Sequence, residues 1–247
     1  MSTSPQDAFQ EEVRQNIRGL MADKDVQALS RVWMREITPY KYAYNFTWMG
    51  RPIIQFPQDM LALQEIVWKV QPDLIIETGI AHGGSLIYSA SLLQLLNGNG
   101  KVLGIDIDIR PHNKEAILAH PLAHRIEMLE GSSISDEMAE TVRKRAEGCK
   151  SVLIILDSNH THEHVLKELQ IYAPLCTTGS YVIVYDTLVE DMPAHLQPTD
   201  RPWGLGNNPK TAVHEYLKST ERFVIDKELQ AKLLLTVAPD GWLKCIQ

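Results

Sequence analysis

An apolar run that reaches an acidic residue and then breaks at glycine is the feature that most constrains this chain. Residues 74–78 are apolar up to Glu77, residues 79–84 hold three glycines, and an apolar pattern at helical spacing resumes at Leu86. This order predicts a buried strand, a tight turn and a helix, the first unit of a doubly wound α/β sheet. Ligands bind such sheets beyond the carboxyl ends of the strands, so we expect residues 77–85 to form the floor of a site.

The amino-acid sequence of this turn argues against two common classes of ligand, the dinucleotides and the nucleoside polyphosphates. Ala81 stands where the dinucleotide fingerprint needs its second glycine, and Ser85-Leu86 follows Gly84 where a phosphate loop needs lysine and then serine or threonine. A glycine turn with a carboxylate and no lysine favours a ligand with a cationic end, such as the ammonium and sulfonium of S-adenosylmethionine (SAM). The alternative is an ordinary strand-to-helix turn in which Glu77 only caps the helix and binds no ligand.

Four of five predicted strands end in a carboxylate. The strands are 74–78, 102–106, 125–129, 152–156 and 181–185, and the acids are Glu77, Asp106, Asp157 and Asp186. Helical patterns separate the strands, so the carboxyl ends should share one edge of a parallel sheet. The sequence therefore predicts an α/β fold with an acidic cleft at that edge.

Individual residues at this edge suggest roles. Asp106 can accept hydrogen bonds from both ribose hydroxyls of a nucleoside, and Ser133 could bond an adenine edge or simply open the next helix. Asp157 and Asp186 end neighbouring strands and could share a hard cation such as Mg²⁺, unless they are two unrelated strand-end aspartates. Histidine is the side chain best suited to act as a general base near neutral pH, and His160 lies one turn beyond Asp157.

Composition and charge limit the classes of partner that this chain can bind. The formal net charge is -7 over 247 residues, and Lys and Arg are not clustered in any part of the sequence, which disfavours a nucleic-acid partner. No apolar run approaches a membrane span, and the polar N-terminus lacks a signal-peptide core. Three cysteines lie far apart, so no disulfide framework is indicated. We expect a cytoplasmic protein acting on a small molecule.

The chain should divide into a helical N-terminal extension and lid (1–71) and a Rossmann-like domain (72–247). In the extension, two helical patterns begin at Ala8 and Val26. Over residues 40–48 an aromatic residue then occupies every second position, so this stretch either packs on the domain as an extended segment or forms a lid over a substrate. The Pro- and Gly-rich run 187–209 predicts an ordered flap. Apolar patterns at 223–225, 233–237 and 242–246 predict closing strands.

Together, five elements of the sequence resemble one family, the cephalosporin hydroxylase / rhamnosyl O-methyltransferase group of SAM-dependent enzymes. They are 76–85, Gly104-Ile105-Asp106, Asp157 with His160, Asp186-Thr187 and 206–210. The resemblance implies a class I methyltransferase fold, with a seven-stranded, mostly parallel sheet and an antiparallel final strand. It also implies a homo-oligomer. Cofactor contacts are then expected from Glu77, Gly79, His82, Gly84, Ser85, Asp106, Ser133 and Asp157.

The chain also resembles Mg²⁺-dependent macrolide-sugar O-methyltransferases, which implies metal ligation by Asp157 and Asp186 and a base role for His160. Those relatives carry Glu-Asp after the fifth strand, whereas this chain has Tyr185-Asp186, so Thr187, a water or a substrate oxygen would complete the metal site. We expect an O-methyltransferase that modifies a hydroxyl of a sugar or polyhydroxylated metabolite. The alternatives are a cephalosporin C7 hydroxylase/methoxylation component and a non-catalytic SAM-binding protein.

Overall fold

Two capped helices begin the structure, a computed structural model that describes residues 4–197 and 199–247. Pro198, one of the prolines of the predicted flap, lies outside the described residues. Helix α1 (Pro5–Ala22) begins at Ser4, whose hydroxyl accepts from the amide of Asp7, and α2 (Lys24–Ile37) begins at the carboxylate of Asp23. Both side chains satisfy amides that a helix start leaves open. The two helical patterns predicted here are confirmed.

Residues 40–48 are not one extended segment, so the first of the two alternatives for this aromatic stretch is wrong. Single 3-10 turns span Thr38–Tyr40 and Tyr42–Asn45, and only Phe46–Trp48 is a strand, β1. It pairs with β2 (Arg51–Ile53) through a turn with positive φ at Met49 and Gly50. Packing decides the outcome, since the Tyr42 ring contacts those of Trp33, Phe46 and Phe56 from within a compact turn. Helix α3 (Pro57–Val70) then leads into the sheet.

The following residues alternate between strands and helices, as predicted. The elements are β3 (Leu74–Thr78), α4 (Gly84–Leu95), β4 (Lys101–Asp106), α5 (Pro111–Leu118), β5 (Ile126–Glu130), α6 (Asp136–Ala146), β6 (Val152–Leu156), α7 (His162–Tyr172), β7 (Tyr181–Val184), α8 (Pro209–Tyr216), β8 (Phe223–Ile225), α9 (Lys227–Leu233) and β9 (Trp242–Cys245). The strand order is β5-β4-β3-β6-β7-β9-β8. Strands β3 to β7 are parallel, and β9 is antiparallel to both of its neighbours. The predicted seven-stranded, mostly parallel sheet with an antiparallel final strand is confirmed.

Each face of the sheet is covered by helices. Ile75 points into one apolar layer with α3 and α4, while Ile76, the next residue, points into the opposite layer with α6, α7 and α8. Both residues are fully buried, as the period of two along a strand between two helical layers requires. The acids that follow the strands therefore emerge at one edge, outside both apolar layers.

The apolar run 233–237 is not a strand, which corrects the prediction. Helix α9 continues to Leu233, Leu234 adopts φ 59°, and the chain then turns towards β9. The amide of Val237 donates to Oδ2 of Asp59 at 2.9 Å instead of joining a ladder. A buried side chain thus satisfies backbone that the apolar pattern assigned to a sheet.

The described part of the 187–209 segment is held by specific contacts. It contains short 3-10 turns at Thr187–Asp191 and Ala194–Leu196, and buried Asn208 donates to the carboxylate of Glu190 and to the carbonyl of Gly204. These contacts fix the residues around Trp203 over the sheet edge. Within the described residues, none of the helices combines the length and apolar character needed to cross a membrane.

Candidate active site

A cleft of about 580 Å³ opens beyond the carboxyl ends of β3, β6 and β7. It is lined by seven of the residues that the sequence singled out: Gly79, His82, Gly84, Ser85, Asp157, His160 and Asp186. Tyr44 from the aromatic segment and Trp203 from the 187–209 segment close its sides. The aromatic segment 40–48 and the segment 187–209 therefore both border the cleft.

The glycine turn after β3 is pressed between two other chain segments. Gly79 has φ +92°, and a Cβ placed there would lie 2.0 Å from the carbonyl oxygen of Asp157. A Cβ on Gly84 would lie 2.1 Å from the carbonyl oxygen of Pro52. Both positions need glycine because no side chain fits against the neighbouring backbone. The turn is thereby fixed against β6 on one side and β2 on the other.

Asp106 anchors the same turn. Its Oδ2 accepts hydrogen bonds from the amides of Ile80 (2.8 Å) and Ala81 (3.3 Å). Asp106 also lines a second compartment of about 380 Å³ together with Ser133, and this compartment shares Gly79 and Asp157 with the main cleft. Its apolar wall and polar rim have the character of a nucleoside pocket.

The hydroxyl of Ser133 lies 3.0 Å from Nε2 of His164, a histidine on α7 that also faces Ser158 (3.3 Å) and buried Glu168 (3.4 Å). Ser133 therefore lines the second compartment with its hydroxyl already engaged. This polar cluster lay outside the sequence predictions, because it is assembled from two separate strand-to-helix junctions.

Asp157, His160 and Asp186 converge in the main cleft. Each of the three side chains offers one possible ligand atom, a carboxylate oxygen or a ring nitrogen, and these three atoms all lie within 4.8 Å of one another. The convergence follows from the pairing of β6 with β7, which places the residues after these strands side by side. Nε2 of His160 lies 3.0 Å from Oδ2 of Asp186, and the indole of Trp203 contacts the imidazole edge-on at 4.9 Å between centroids.

The electrostatics of this cluster suit a cation. Burial raises the pKa of the Asp157 carboxyl well above its usual range, and the nearby charges of Asp186 and Glu77 raise it further. In the described part of the chain, one side chain donates to this carboxylate: Nε2 of Gln55 lies 3.3 Å from Oδ2. The carboxylate oxygens of Asp157 and Asp186, with their excess of negative charge, fit a hard divalent ion.

Glu77 lies elsewhere than expected. Its carboxyl is buried behind the cleft, beside Gln55, Tyr88 and Tyr185, and it is not among the residues that line the two compartments. Ser85 donates its hydroxyl to Oε1. Burial raises the pKa of Glu77 to about 7, although the hydrogen bond from Ser85 opposes this. Glu77 therefore supports the turn through Ser85.

Thr187 also points away from the cleft. It is fully buried, and its Oγ1 donates to the carbonyl of Pro239 at 2.7 Å. Tyr185, which stands where the macrolide-sugar enzymes carry an acid, does line the cleft, with a side chain that is almost completely buried. In this arrangement the hydroxyl of Thr187 serves the fold, and the Asp157–His160–Asp186 cluster stands without it.

Several residues of the cleft had no local signal in the sequence. Gln55 follows β2 and reaches Asp157 across about a hundred positions of chain. Arg51 donates to the carbonyl of His82 at 3.0 Å, and its guanidinium also bonds Asn113, which in turn donates to the carbonyl of Ala81. Only the paired hairpin 46–53 brings these side chains to the glycine turn.

The seven-stranded sheet in this order, with β9 antiparallel and a glycine turn after β3, is the architecture of the class I methyltransferases. The chain belongs to the rhamnosyl O-methyltransferase/CmcI family, whose sequence model matches residues 40–246. It is accordingly a SAM-dependent O-methyltransferase. The resemblance noted from the sequence motifs is thus confirmed.

Two relatives illustrate the similarity. The chain is 30% identical over 204 residues to a rhamnosyl O-methyltransferase of Mycobacterium tuberculosis (strain ATCC 25618 / H37Rv), covering 80% of this chain and 77% of that protein. It is 32% identical over 201 residues to a rhamnosyl O-methyltransferase of Mycobacterium leprae (strain TN), covering 80% and 82%.

Solved structures share the fold. A structure of CmcI with Mg and SAM superposes with a TM-score of 0.56 at 18% identity, over 83% of this chain and 78% of that chain. An O-methyltransferase from Bacillus cereus in complex with SAH (S-adenosylhomocysteine) gives a TM-score of 0.51 at 14% identity, over 86% and 88%. At these identities the likeness concerns the fold alone.

Proposed function

We propose that this protein transfers the methyl group of SAM to a hydroxyl of a sugar or polyhydroxylated small molecule, with Mg²⁺ at Asp157 and Asp186 and with His160 as the general base. The observation that carries the proposal is the convergence of these three side chains, with ligand atoms within 4.8 Å of one another, at the mouth of the cleft. The curated relatives of similar length are rhamnosyl O-methyltransferases, which favours a sugar as acceptor.

Two observations support a bound cation. The carboxyl of Asp157 lies beside Asp186 and, among the residues that the structure describes, accepts one side-chain hydrogen bond, from Gln55, so its ionised form needs a compensating charge. CmcI, of the same family and fold, has been solved with Mg and SAM. When bound, such an ion would lower the pKa of an acceptor hydroxyl and fix its oxygen. Asp157 and Asp186 would hold it, in place of the predicted set that included Thr187.

The cofactor would occupy the continuous space between the two compartments. Its nucleoside would lie near Asp106 and Ser133, and its methionine end would lie along Gly79, His82, Gly84 and Ser85. Asp157 lines both compartments, so a sulfonium between them would face an acidic wall. Favourable contact between a cationic sulfur and nearby carboxylates is the electrostatic reason for this orientation.

His160 would accept the proton of the acceptor hydroxyl at Nδ1, because Nε2 faces the carboxylate of Asp186 and would carry the proton that it donates there. The carbon–sulfur bond of the donor breaks as the new oxygen–carbon bond forms, and SAH leaves with the electron pair. Contact with Trp203 and the hydrogen-bonding distance to Asp186 restrict the imidazole to one orientation. A base held in this way contributes about 10²–10⁴-fold to the rate.

The test is methyl transfer from labelled SAM to a panel of glycosides and polyols, with Mg²⁺ or with a chelator. We expect transfer to an oxygen that requires the metal and is lost in Asp157→Asn and His160→Ala. His195→Ala, a change at an exposed histidine in the 187–209 segment, should leave transfer intact. Transfer that persists in the chelator would contradict the metal, and SAM binding without transfer across the panel would favour the non-catalytic alternative.

A β-lactam acceptor, the other expectation from the sequence, belongs in the same panel. The curated relatives at 30% and 32% identity act on rhamnosyl groups, whereas the likeness to CmcI structures is under 20% identical. The sugar is therefore the preferred acceptor. Turnover of a cephalosporin faster than any glycoside would reverse this preference.

A further inference from the structure

Two basic side chains border the cleft, each beside an aromatic ring. Nζ of Lys41 lies 6.0 Å from the ring centroid of Tyr44, and Cζ of Arg201 lies 5.4 Å from that of Trp203. Lys41 and Tyr44 come from the 3-10 turns before β1, whereas Arg201 and Trp203 come from the 187–209 segment. All four residues line the same cleft. Separate parts of the chain thus bring a cation and an aromatic face to one opening.

The two cations are barely neutralised by the protein. In the described part of the chain, the nearest acidic partner of Arg201 is Asp200, with Nε and Oδ2 3.9 Å apart and both side chains mostly exposed. Lys41 has no acidic partner within 4.0 Å among those residues. A guanidinium that stacks on an indole keeps its N–H edge available for a planar anion.

Arg201 has a defined position relative to the reacting groups. The indole of Trp203 contacts the imidazole of His160 with its edge and stands beside the guanidinium of Arg201. One indole ring therefore separates the guanidinium from the proposed base.

Tyr44 connects the second cation to the same place. Burial raises the pKa of its hydroxyl, the charge of Asp186 raises it further, and the charge of Arg201 lowers it. The hydroxyl is thus close enough to both the acid cluster and the guanidinium to feel their charges.

Covering these cations has an electrostatic cost. Both side chains are exposed, so an acceptor in the cleft would take only part of their water, and losing that part costs free energy unless the acceptor supplies a partner. A neutral polyol cannot compensate two positive charges, whereas an oxyanion forms charge-assisted hydrogen bonds with both.

We propose that the acceptor carries an anionic group, a carboxylate or a phosphate, which Lys41 and Arg201 bind while its hydroxyl faces His160. The inference rests on the proposed function, since it assumes that the acceptor occupies this cleft. It names a class of substrate, a hydroxylated acid or phosphorylated sugar, and makes Lys41 and Arg201 its specificity-determining residues.

The test measures binding to the full chain loaded with SAH and Mg²⁺ by titration calorimetry. The probes are methyl α-glucopyranoside, glucuronate and glucose 6-phosphate, which share a ring and differ in charge. We expect an anionic probe to bind at least about tenfold more tightly than the neutral one, and its affinity to fall as salt rises. The tighter of the two anions identifies carboxylate or phosphate as the group recognised.

Variants assign the binding to these side chains. Lys41→Met and Arg201→Gln should each weaken the anionic probe by about tenfold, and leave the neutral probe unchanged. Arg201→Lys should retain part of the affinity, and Asp200→Asn, which removes the acid beside Arg201, should bind the anionic probe at least as tightly as the parent. Equal binding of the three probes, or anion binding that survives in the double variant, would overturn the inference.

Methyl transfer separates this inference from the proposed function. Transfer to neutral glycosides at rates that Lys41→Met and Arg201→Gln do not change would overturn the anionic acceptor and leave the methyltransferase chemistry standing. Variant-sensitive anion binding in a protein that transfers no methyl group would do the reverse.

Discussion

Nε2 of His160 lies 3.0 Å from Oδ2 of Asp186, although 26 residues of chain and a helix separate them. The contact exists because β6 and β7 are paired neighbours, so the residues beyond their ends share one side of the cleft. It gives the imidazole a fixed direction, and it places the proposed base beside a proposed metal ligand. The roles of the two residues can therefore be separated by experiment.

His160→Ala should lower methyl transfer by about 10²–10⁴-fold at saturating SAM, because the acceptor loses its base, while Mg²⁺ affinity remains within a few-fold of the parent. Asp186→Asn should instead weaken Mg²⁺ by about tenfold or more, because a charged ligand is lost. Calorimetric titration with Mg²⁺ and single-turnover kinetics provide the two readouts. If His160→Ala weakens Mg²⁺ as strongly as Asp186→Asn, the histidine is a metal ligand and the base assignment is wrong.

Asp106→Ala should weaken SAM binding and leave transfer at saturating SAM largely unchanged. The carboxylate accepts from the amides of Ile80 and Ala81, so its loss loosens the turn that borders the cofactor space and removes a partner for the ribose. Asp106→Asn keeps an oxygen for the amides, and separates the two contributions. Fluorescence titration with SAH measures both variants, and an unchanged affinity in Asp106→Ala would place the ribose elsewhere.

Much of the sheet and the position of the cleft could be predicted because they depend on short-range patterns. Apolar runs of five residues between helical patterns predict buried parallel strands, and acids after them predict the edge where ligands bind. His160, Asp157 and Asp186 were identified together for this reason. The same logic failed at 233–237, where an apolar run packs below the sheet and Asp59 on α3 takes the backbone hydrogen bond.

The remaining site depends on tertiary contacts that no spacing encodes. Gln55 reaches Asp157 only because the hairpin 46–53 packs on the glycine turn. Thr187, next to Asp186 in sequence, turns into the core and bonds Pro239. Glu77 points into the layer beneath α4, since the period of two along β3 directs it away from the cleft. Adjacency to a functional residue therefore predicts less than the face of the strand.

Gly79→Ala should destabilise the protein by about 3 kcal/mol or more, because the new Cβ meets the carbonyl oxygen of Asp157 and the positive φ is strained for alanine. Gly148→Ala is the matched control, with φ +80° and open space around the position, and should cost only about 1–2 kcal/mol. Urea unfolding of the two variants measures the difference. Equal losses would mean that the turn moves away from β6 at little cost.

Glu77 gives a prediction for the pH dependence of stability. Burial raises its pKa to about 7 from an ordinary value of 4.5, so the folded protein binds a proton that the unfolded chain releases between these values. The contribution of Glu77 to stability is present below pH 4.5 and is lost as pH rises to about 7, by about 3 kcal/mol if the whole shift is expressed.

Glu77→Gln keeps an oxygen to accept from Ser85 but cannot ionise, so the loss of stability between pH 4.5 and 7 should be smaller in the variant. Asp59, whose pKa burial also raises to about 7, should still supply part of the slope. Denaturation curves across this range compare the two proteins. Identical slopes would show that the buried carboxyl of Glu77 is hydrated or compensated in the folded chain.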